Sequence, residues 1–247
     1  MTRSPSKKPK AKTAKPGPRS RAKAAAATPM AVLGDVPHGS THEDVYARLK
    51  RAIMSGHYLP GERLVVAKLE KVFGTSAMPI REALRRLVTE QALVNTPNRG
   101  VEVPQMSAGR LMDLRRVRCE IEGKATDWAA LTISKAELAQ LKKIQAELNR
   151  LAAAEQTEGY LDLNLAFHFT IYKAARSPLL IPIIESLWMQ VGPCLNSMRG
   201  TATLGLGMDH HEAMIAYLEK GDGARAADAL QKDISEAADI ILRLLPQ

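Results

Sequence analysis

After residue 40, apolar residues recur at helical spacing along most of the chain, and glycine, proline or a capping serine stands where the period breaks. Val45, Leu49, Ala52 and Ile53 define a first helix that opens at Thr41-His42-Glu43-Asp44 and runs to about Ser55, where Gly56 stops it. Beyond Pro60-Gly61-Glu62-Arg63-Leu64, the residues Val65, Leu69 and Val72 share one face of a short helix. Gly74 permits a sharp reversal, and Ser76 caps a second helix whose first turn tolerates Pro79. Leu84 and Leu87 supply the buried side of that helix, which leaves Arg81, Arg85 and Arg86 to face a partner. The pattern then changes to Ala92-Leu93-Val94-Asn95, a turn at Thr96-Pro97-Asn98-Arg99, and Gly100-Val101-Glu102-Val103, which reads as two short strands with a cationic tip.

Pro104 ends that ribbon, and helical periodicity returns from Ser107 almost to the end. The spacing predicts helices over 108–131, 135–154, 158–176, 179–198, 208–220 and 223–244. Ser134 with Glu137 has the spacing of a capping box, and Ser177-Pro178 and Gly221-Asp222 are helix breaks. Short connections imply an antiparallel bundle with sites built inside from facing helices. The fold class expected is therefore mainly α: an N-terminal winged helix-turn-helix with a small β-wing, followed by an all-α antiparallel bundle. Domain boundaries fall at 1–40 for a tail, 41–104 for the winged unit and 105–247 for the bundle.

Charge separates these parts. The 247 residues carry a net charge of +9, yet residues 1–40 alone hold nine basic side chains against Asp35, so the surplus reports mostly the tail. Lys, Arg, Ala, Pro and Ser there offer too little apolar surface to offset ordering entropy, and disorder is expected. Two roles stay open for it, a solubilising tail or a cationic arm that adds salt-dependent DNA affinity. Two cysteines, Cys119 and Cys194, are too few for a disulfide framework or zinc knuckle and read as small core residues. No run of about 18 apolar residues suits a membrane span, and the N-terminal prolines break the helix a transit peptide needs.

Residues 41–104 resemble the winged helix-turn-helix of the GntR family of bacterial transcription regulators, through Ile53-Met54-Ser55-Gly56, Pro60-Gly61-Glu62-Arg63-Leu64 and Ser76-Ala77-Met78-Pro79-Ile80-Arg81-Glu82-Ala83-Leu84. The remainder is similar to the FCD-type ligand-binding domain of the FadR subfamily, and to its VanR-like six-helix branch, through Arg118 with Glu122, Leu165-Ala166-Phe167-His168 and His211 ahead of Gly221-Asp222. The resemblance implies that Ser76 bonds phosphate and that Arg81 contacts base edges or backbone. Arg85 and the wing's Arg99 join them as DNA-binding candidates. Ala77 and Met78 stand where many members carry arginine and threonine, so the operator differs from theirs. Arg118 matches an arginine that meets an effector carboxylate in similar domains, a role its two-bond fork suits; the alternative is an internal pair with Glu122 one turn on. Arg199 is a second effector candidate.

Asn164 and His168 share a helical face, while His211 and Asp233 lie at comparable distances on either side of the Gly221 turn, level on neighbouring helices. Two imidazoles, a carboxylate and an amide oxygen then converge, a set that suits zinc, nickel or manganese. The family's usual set is Asp, His, His, His, so Asn164 and Asp233 are departures. The alternative is that both histidines are hydrogen-bonded core residues around an organic ligand. Trp188 and Met189 read as core, and His210 as an exposed neighbour.

The function expected is a ligand-responsive transcription regulator, not an enzyme. It works as a homodimer on a double-stranded DNA operator, with half-sites about 34 Å apart, under a small carboxylate effector, in the bacterial cytoplasm and nucleoid, away from membranes. The alternatives are a non-specific DNA-packaging protein led by the tail and a helical metallohydrolase using His168, His211 and Asp233.

Overall fold

The computed structural model describes residues 1, 42–97, 99–199, 205 and 207–245. Apart from Met1, the predicted basic tail falls outside the described residues, as do Thr41 of the first helix start and Asn98 of the wing turn. The element order is α1 (His42–Met54), α2 (Val66–Phe73), α3 (Ala77–Thr89), β1 (Val94–Thr96), β2 (Gly100–Glu102), α4 (Ala108–Ala129), α5 (Lys135–Ala153), α6 (Tyr160–Ala174), α7 (Leu180–Leu195), α8 (Met208–Glu219) and α9 (Gly223–Leu244). The fold is thus mainly α, with a winged helix-turn-helix before a helical bundle.

In the N-terminal unit, Val45, Leu49 and Ile53 of α1 meet Leu69 and Phe73 of α2 and Ile80, Leu84 and Leu87 of α3 in one core. Gly74 closes α2 in the left-handed region at φ 58°, a conformation glycine takes without steric penalty. The strands pair antiparallel with Asn95 opposite Val101, two positions later on the first strand than the pattern suggests, because Ala92 and Leu93 are drawn into the core. The segment before α2 flanks the wing, with Leu64 N–H donating to Val101 O and Val103 N–H to Glu62 O. Val65 is a correction: it is the exposed residue before α2, and Leu69 and Phe73 form the buried face instead.

Six helices follow the wing among the described residues, and α4 packs along α9, with α6 and α7 also against α4 and with α8 between α5 and α9. Ser134 and Glu137 form the reciprocal capping box at the start of α5, the Ser134 hydroxyl accepting from Glu137 N–H and the Glu137 carboxylate from Ser134 N–H. The predicted α7 is split: Leu195 ends the α-helix and Asn196–Met198 continues as a 3-10 turn. Cys194 is buried and Cys119 half-buried, both as free thiols.

Helix α1 also packs on α7, which joins the two parts. Gly192 lies flush on the C-terminal end of α1, where a Cβ would collide with the carbonyls of Ile53 and Met54. The Asn196 amide donates to Gly56 O, and Lys50 pairs with Glu185 at 2.6 Å. On the next helix over, buried His57 Nε2 meets Asp162 Oδ2 of α6 at 2.9 Å. That hydrogen bond holds the Asp162 carboxyl below its usual range despite the opposing effect of burial. Gly192→Ala is expected to cost about 1–3 kcal/mol through overpacking at this seam, read as a lower midpoint in denaturant unfolding; an unchanged midpoint would show that the seam yields freely.

Candidate functional site

The recognition helix α3 begins at Ser76, whose hydroxyl accepts no cap bond from the helix and is left for an outside donor or acceptor. Met78 is 73% exposed at the helix tip, and Arg81 and Arg85 stand on the same solvent side. Among the described residues Arg85 makes one long ion-pair contact, to Glu82 at 3.7 Å and on the surface. Arg99 is exposed at the wing turn, its N–H closing on Thr96 O. Ala77, half-buried, starts the first turn. Arg86 is a correction to the sequence reading: it turns back onto α1, its guanidinium 3.6 Å from the Tyr46 ring centre and 3.1 Å from both Glu43 and Glu90 carboxylates. Tyr46 donates its own hydroxyl to Glu90 at 2.7 Å, so Arg86 ties α3 to α1 and does not face a partner.

Inside the bundle, His168 of α6, His211 of α8 and Asp233 of α9 bring one ligand atom each to within 4.8 Å of one another. His168 Nε2 stands 3.5 Å from Asp233 Oδ2 and His211 Nε2 3.8 Å from Asp233 Oδ1. The opposite ring nitrogens are engaged by the protein: His211 Nδ1 with Gln145 Oε1 at 3.0 Å, and His168 Nδ1 with the Tyr172 hydroxyl at 3.4 Å. Phe167 stacks on His211 with centroids 4.0 Å apart and planes 8° from parallel, while His168 lies edge-on to His211. Asn164 sits one turn before His168 on the same helical face, half-buried. Gly207, at the start of α8, approaches so closely that a Cβ there would stand 2.6 Å from Asp233 Oδ1.

Short as they are, the histidine–aspartate contacts are not ion pairs. Burial keeps His211 neutral, its pKa pushed down to about 3, and burial, then His211 and Arg118, hold His168 well below the usual imidazole value. Burial raises Asp233 to about 7, against the pull of Arg118. Two uncharged imidazoles and a carboxylate short of a counter-charge are the donors a divalent cation takes, and the bound ion would supply the missing positive charge. The residues present fit such an ion.

Arg118 is buried and forms the internal pair, with Nε 2.6 Å from Glu122 Oε1 and Nη2 3.1 Å from Oε2. Glu122 also accepts from Tyr172 at 2.6 Å and from Trp188 Nε1 at 3.0 Å, so its carboxylate is satisfied on every side. Trp188 and Met189 are core residues, and Trp188 also walls the site, 5.4 Å from the His168 ring centre. His210 is only part-exposed, with Glu236 3.2 Å away. Arg199 differs from Arg118: among the described residues its Nε and Nη2 are buried without a hydrogen-bond partner, and burial lowers its pKa. Gln145, Tyr172, His57 and Asp162 escaped the sequence reading. A polar Gln145 midway between Leu141 and Leu148 on a buried helical face was the one available signal.

Comparison with known proteins agrees with this architecture. Residues 41–103 match the model of bacterial regulatory proteins of the gntR family, and residues 113–236 match the FCD domain. The chain is 30% identical over 213 residues to the HTH-type transcriptional regulator McbR of Escherichia coli K12, covering 83% of this chain and 96% of that one. It is 26% identical over 219 residues to the HTH-type transcriptional repressor GlaR of the same organism, covering 81% of this chain and 96% of that one. The solved structure of E. coli McbR/YncC superposes with a TM-score of 0.77 at 28% identity, covering 83% of this chain and 98% of that one. A GntR regulator from Rhodococcus sp. RHA1 shares the fold with a TM-score of 0.68 at 21% identity, covering 82% of this chain and 97% of that one. The chain therefore belongs to the GntR family, as a DNA-binding transcription regulator whose helical half is an FCD effector-binding domain.

Proposed function

We propose that this regulator is a homodimer that reads a near-palindromic operator in the bacterial cytoplasm and is controlled by a small carboxylate bound beside a divalent metal ion. It performs no chemistry on its ligand. The division of labour follows the chain: residues 41–104 read DNA, residues 105–247 bind effector and partner subunit, and residues 1–40 add non-specific cationic attraction. Convergence of His168, His211 and Asp233, both imidazoles neutral and presenting Nε2, is the observation that carries the reading. Asn164 completes the donor set through its amide oxygen, and zinc, nickel or manganese suits it.

Arg199, with an unsatisfied guanidinium, is the better effector anchor. Arg118 takes that role only when an incoming carboxylate replaces Glu122. Helices α6 and α7 carry site residues His168 and Trp188, and α6 and the 3-10 turn after α7 also carry contacts to the head, Asp162 with His57 and Asn196 with Gly56. An effector that favours one packing of these helices over another changes how the two heads are presented, through its differential affinity for the two states.

At the DNA face, Ser76, Ala77, Met78, Arg81 and Arg85 meet the major groove and Arg99 the phosphates or minor groove. Charge reversal at Arg81 is expected to weaken operator binding at least about tenfold in gel-shift titration and to erase sequence preference. Arg86→Ala is expected to lower thermal stability instead, since Arg86 braces α1. Operator binding that survives Arg81→Glu with its selectivity intact would overturn the assignment.

Protein purified without chelators is expected to hold about one divalent ion per subunit by elemental analysis, a content lost in His168→Ala and His211→Ala. Metal-free protein should gain stability as pH rises from about 4 towards 6.5, because burial keeps both histidines neutral in the fold while the unfolded chain holds its imidazole protons to near 6.5; Asp233, which keeps its proton to about 7 in the fold against 3.8 unfolded, removes part of that gain. Added zinc should then raise the melting temperature more at pH 7.5 than at pH 5. Absence of any ion, with no response to zinc at either pH, would leave the histidines as core residues only.

A thermal-shift screen of small carboxylates tests the effector, which is expected to raise the melting temperature and alter operator affinity.

A further inference from the structure

We infer that Gln145 is a positioning residue that sets the tautomer of His211, and that a one-way chain of hydrogen bonds starting at Glu212 fixes its own orientation. The inference rests on the metal reading above, since the tautomer decides whether His211 can be a ligand. The chain begins at a carboxylate, which when ionised can only accept. Glu212 Oε1 takes a hydrogen bond from Asn149 Nδ2 at 3.3 Å. The amide oxygen of Asn149 is thereby turned towards Gln145 and accepts from its Nε2 at 2.9 Å. The same Gln145 nitrogen also points at Met208 Sδ, 3.1 Å away, so both of its N–H groups have acceptors. Gln145 Oε1 is left facing His211 Nδ1 at 3.0 Å, and an amide oxygen there requires the proton to be on Nδ1.

Nε2 of His211 then carries a bare lone pair, aimed at Asp233. Flipping the Gln145 amide would set its oxygen against the Asn149 oxygen, two acceptors facing one another. Flipping the imidazole keeps its plane against Phe167 but puts Cδ2–H where Nδ1 now meets the Gln145 oxygen, and so forfeits that hydrogen bond. Gln145 is itself buried at 4% exposure, so an unmatched amide would find no water to relieve it. Tyr172 does the same for His168 by another route: its hydroxyl donates to Glu122, which leaves the oxygen to accept from His168 Nδ1–H. Both histidines therefore offer Nε2, one governed by an amide chain from α5 and α8 and the other by a buried carboxylate on α4.

The test compares wild type, Gln145→Leu and Gln145→Glu. Zinc affinity is measured by competition with a coloured chelator, and the His211 tautomer by long-range proton–nitrogen NMR on metal-free protein. Gln145→Leu is expected to bind zinc about 10–100-fold more weakly and to show His211 protonated on either nitrogen. Gln145→Glu still presents an acceptor to Nδ1–H and should keep the wild-type His211 tautomer and bind zinc more tightly than Gln145→Leu, at a cost in stability because its second oxygen meets the Asn149 oxygen. Wild-type zinc affinity in Gln145→Leu, or a metal-free wild-type protein with the His211 proton on Nε2, would overturn the inference. Should Gln145→Leu fail to fold, the wild-type NMR arm and Gln145→Glu still decide it. If wild type binds no zinc while the Nδ1–H tautomer is found, the metal reading fails and the role of Gln145 stands.

Discussion

Helix α1 is buried on two sides at once, and the rest of the molecule is arranged around that constraint. One face closes the core of the winged unit against α2 and α3, and its C-terminal end rests on α7 with Gly192 beneath it. A head with its own hydrophobic core is normally free to swing on a linker. Here the backbone of Gly192 meets the carbonyls of Ile53 and Met54, and polar bridges from Lys50 and His57 surround the contact. Both α6 and α7 thus contact the segment formed by α1 and the turn after it, and α1 holds α3 through the Arg86 and Tyr46 stack. The recognition helix, the seam and the buried donors form a continuous path of packed elements, each with named side chains at its joints.

The buried centre depends on keeping charge out. Two histidines so deeply placed do not take up a second proton, and Asp233 beside them is reluctant to lose its own. Arg118 offers little relief because Glu122 takes up its guanidinium, and Glu122 is in turn fully occupied by Tyr172 and Trp188. The protein therefore builds a buried polar cluster whose groups are ordered by hydrogen bonds and which leaves Asp233 short of positive charge. Arg199, beyond the end of α7, is another place where, among the described residues, buried guanidinium nitrogens lack a hydrogen-bond partner.

Most of the fold was legible because its signals are local. Ser76 with Pro79, the Ser134 and Glu137 box, and the Gly56, Gly74 and Gly221 breaks each announce an element within a few residues, and the observed helices differ at their ends by only a residue or two in most cases. Arg86 was misread because its partners lie on another helix: spacing along α3 puts it outward, but Tyr46 and Glu43 of α1 pull it back. Val65 failed for a related reason, since the helix it was assigned to begins one residue later. At the centre, periodicity could bring His168, His211 and Asp233 level, whereas the roles of Gln145 and Tyr172 show only when α5 is packed on α8 and α6 on α4. Gly192 reads as an ordinary weak spot in a helix until the neighbouring backbone is seen against it.

That contact also orders events in time. Residues 53 and 192 are far apart in sequence, so the winged unit emerges from the ribosome with the tip of α1 uncovered, and at about 5–20 residues per second its cover is made on the order of ten seconds later. Nascent chains in that interval carry a finished reading head with an exposed apolar edge, a species open to chaperone capture and to premature association with a second chain.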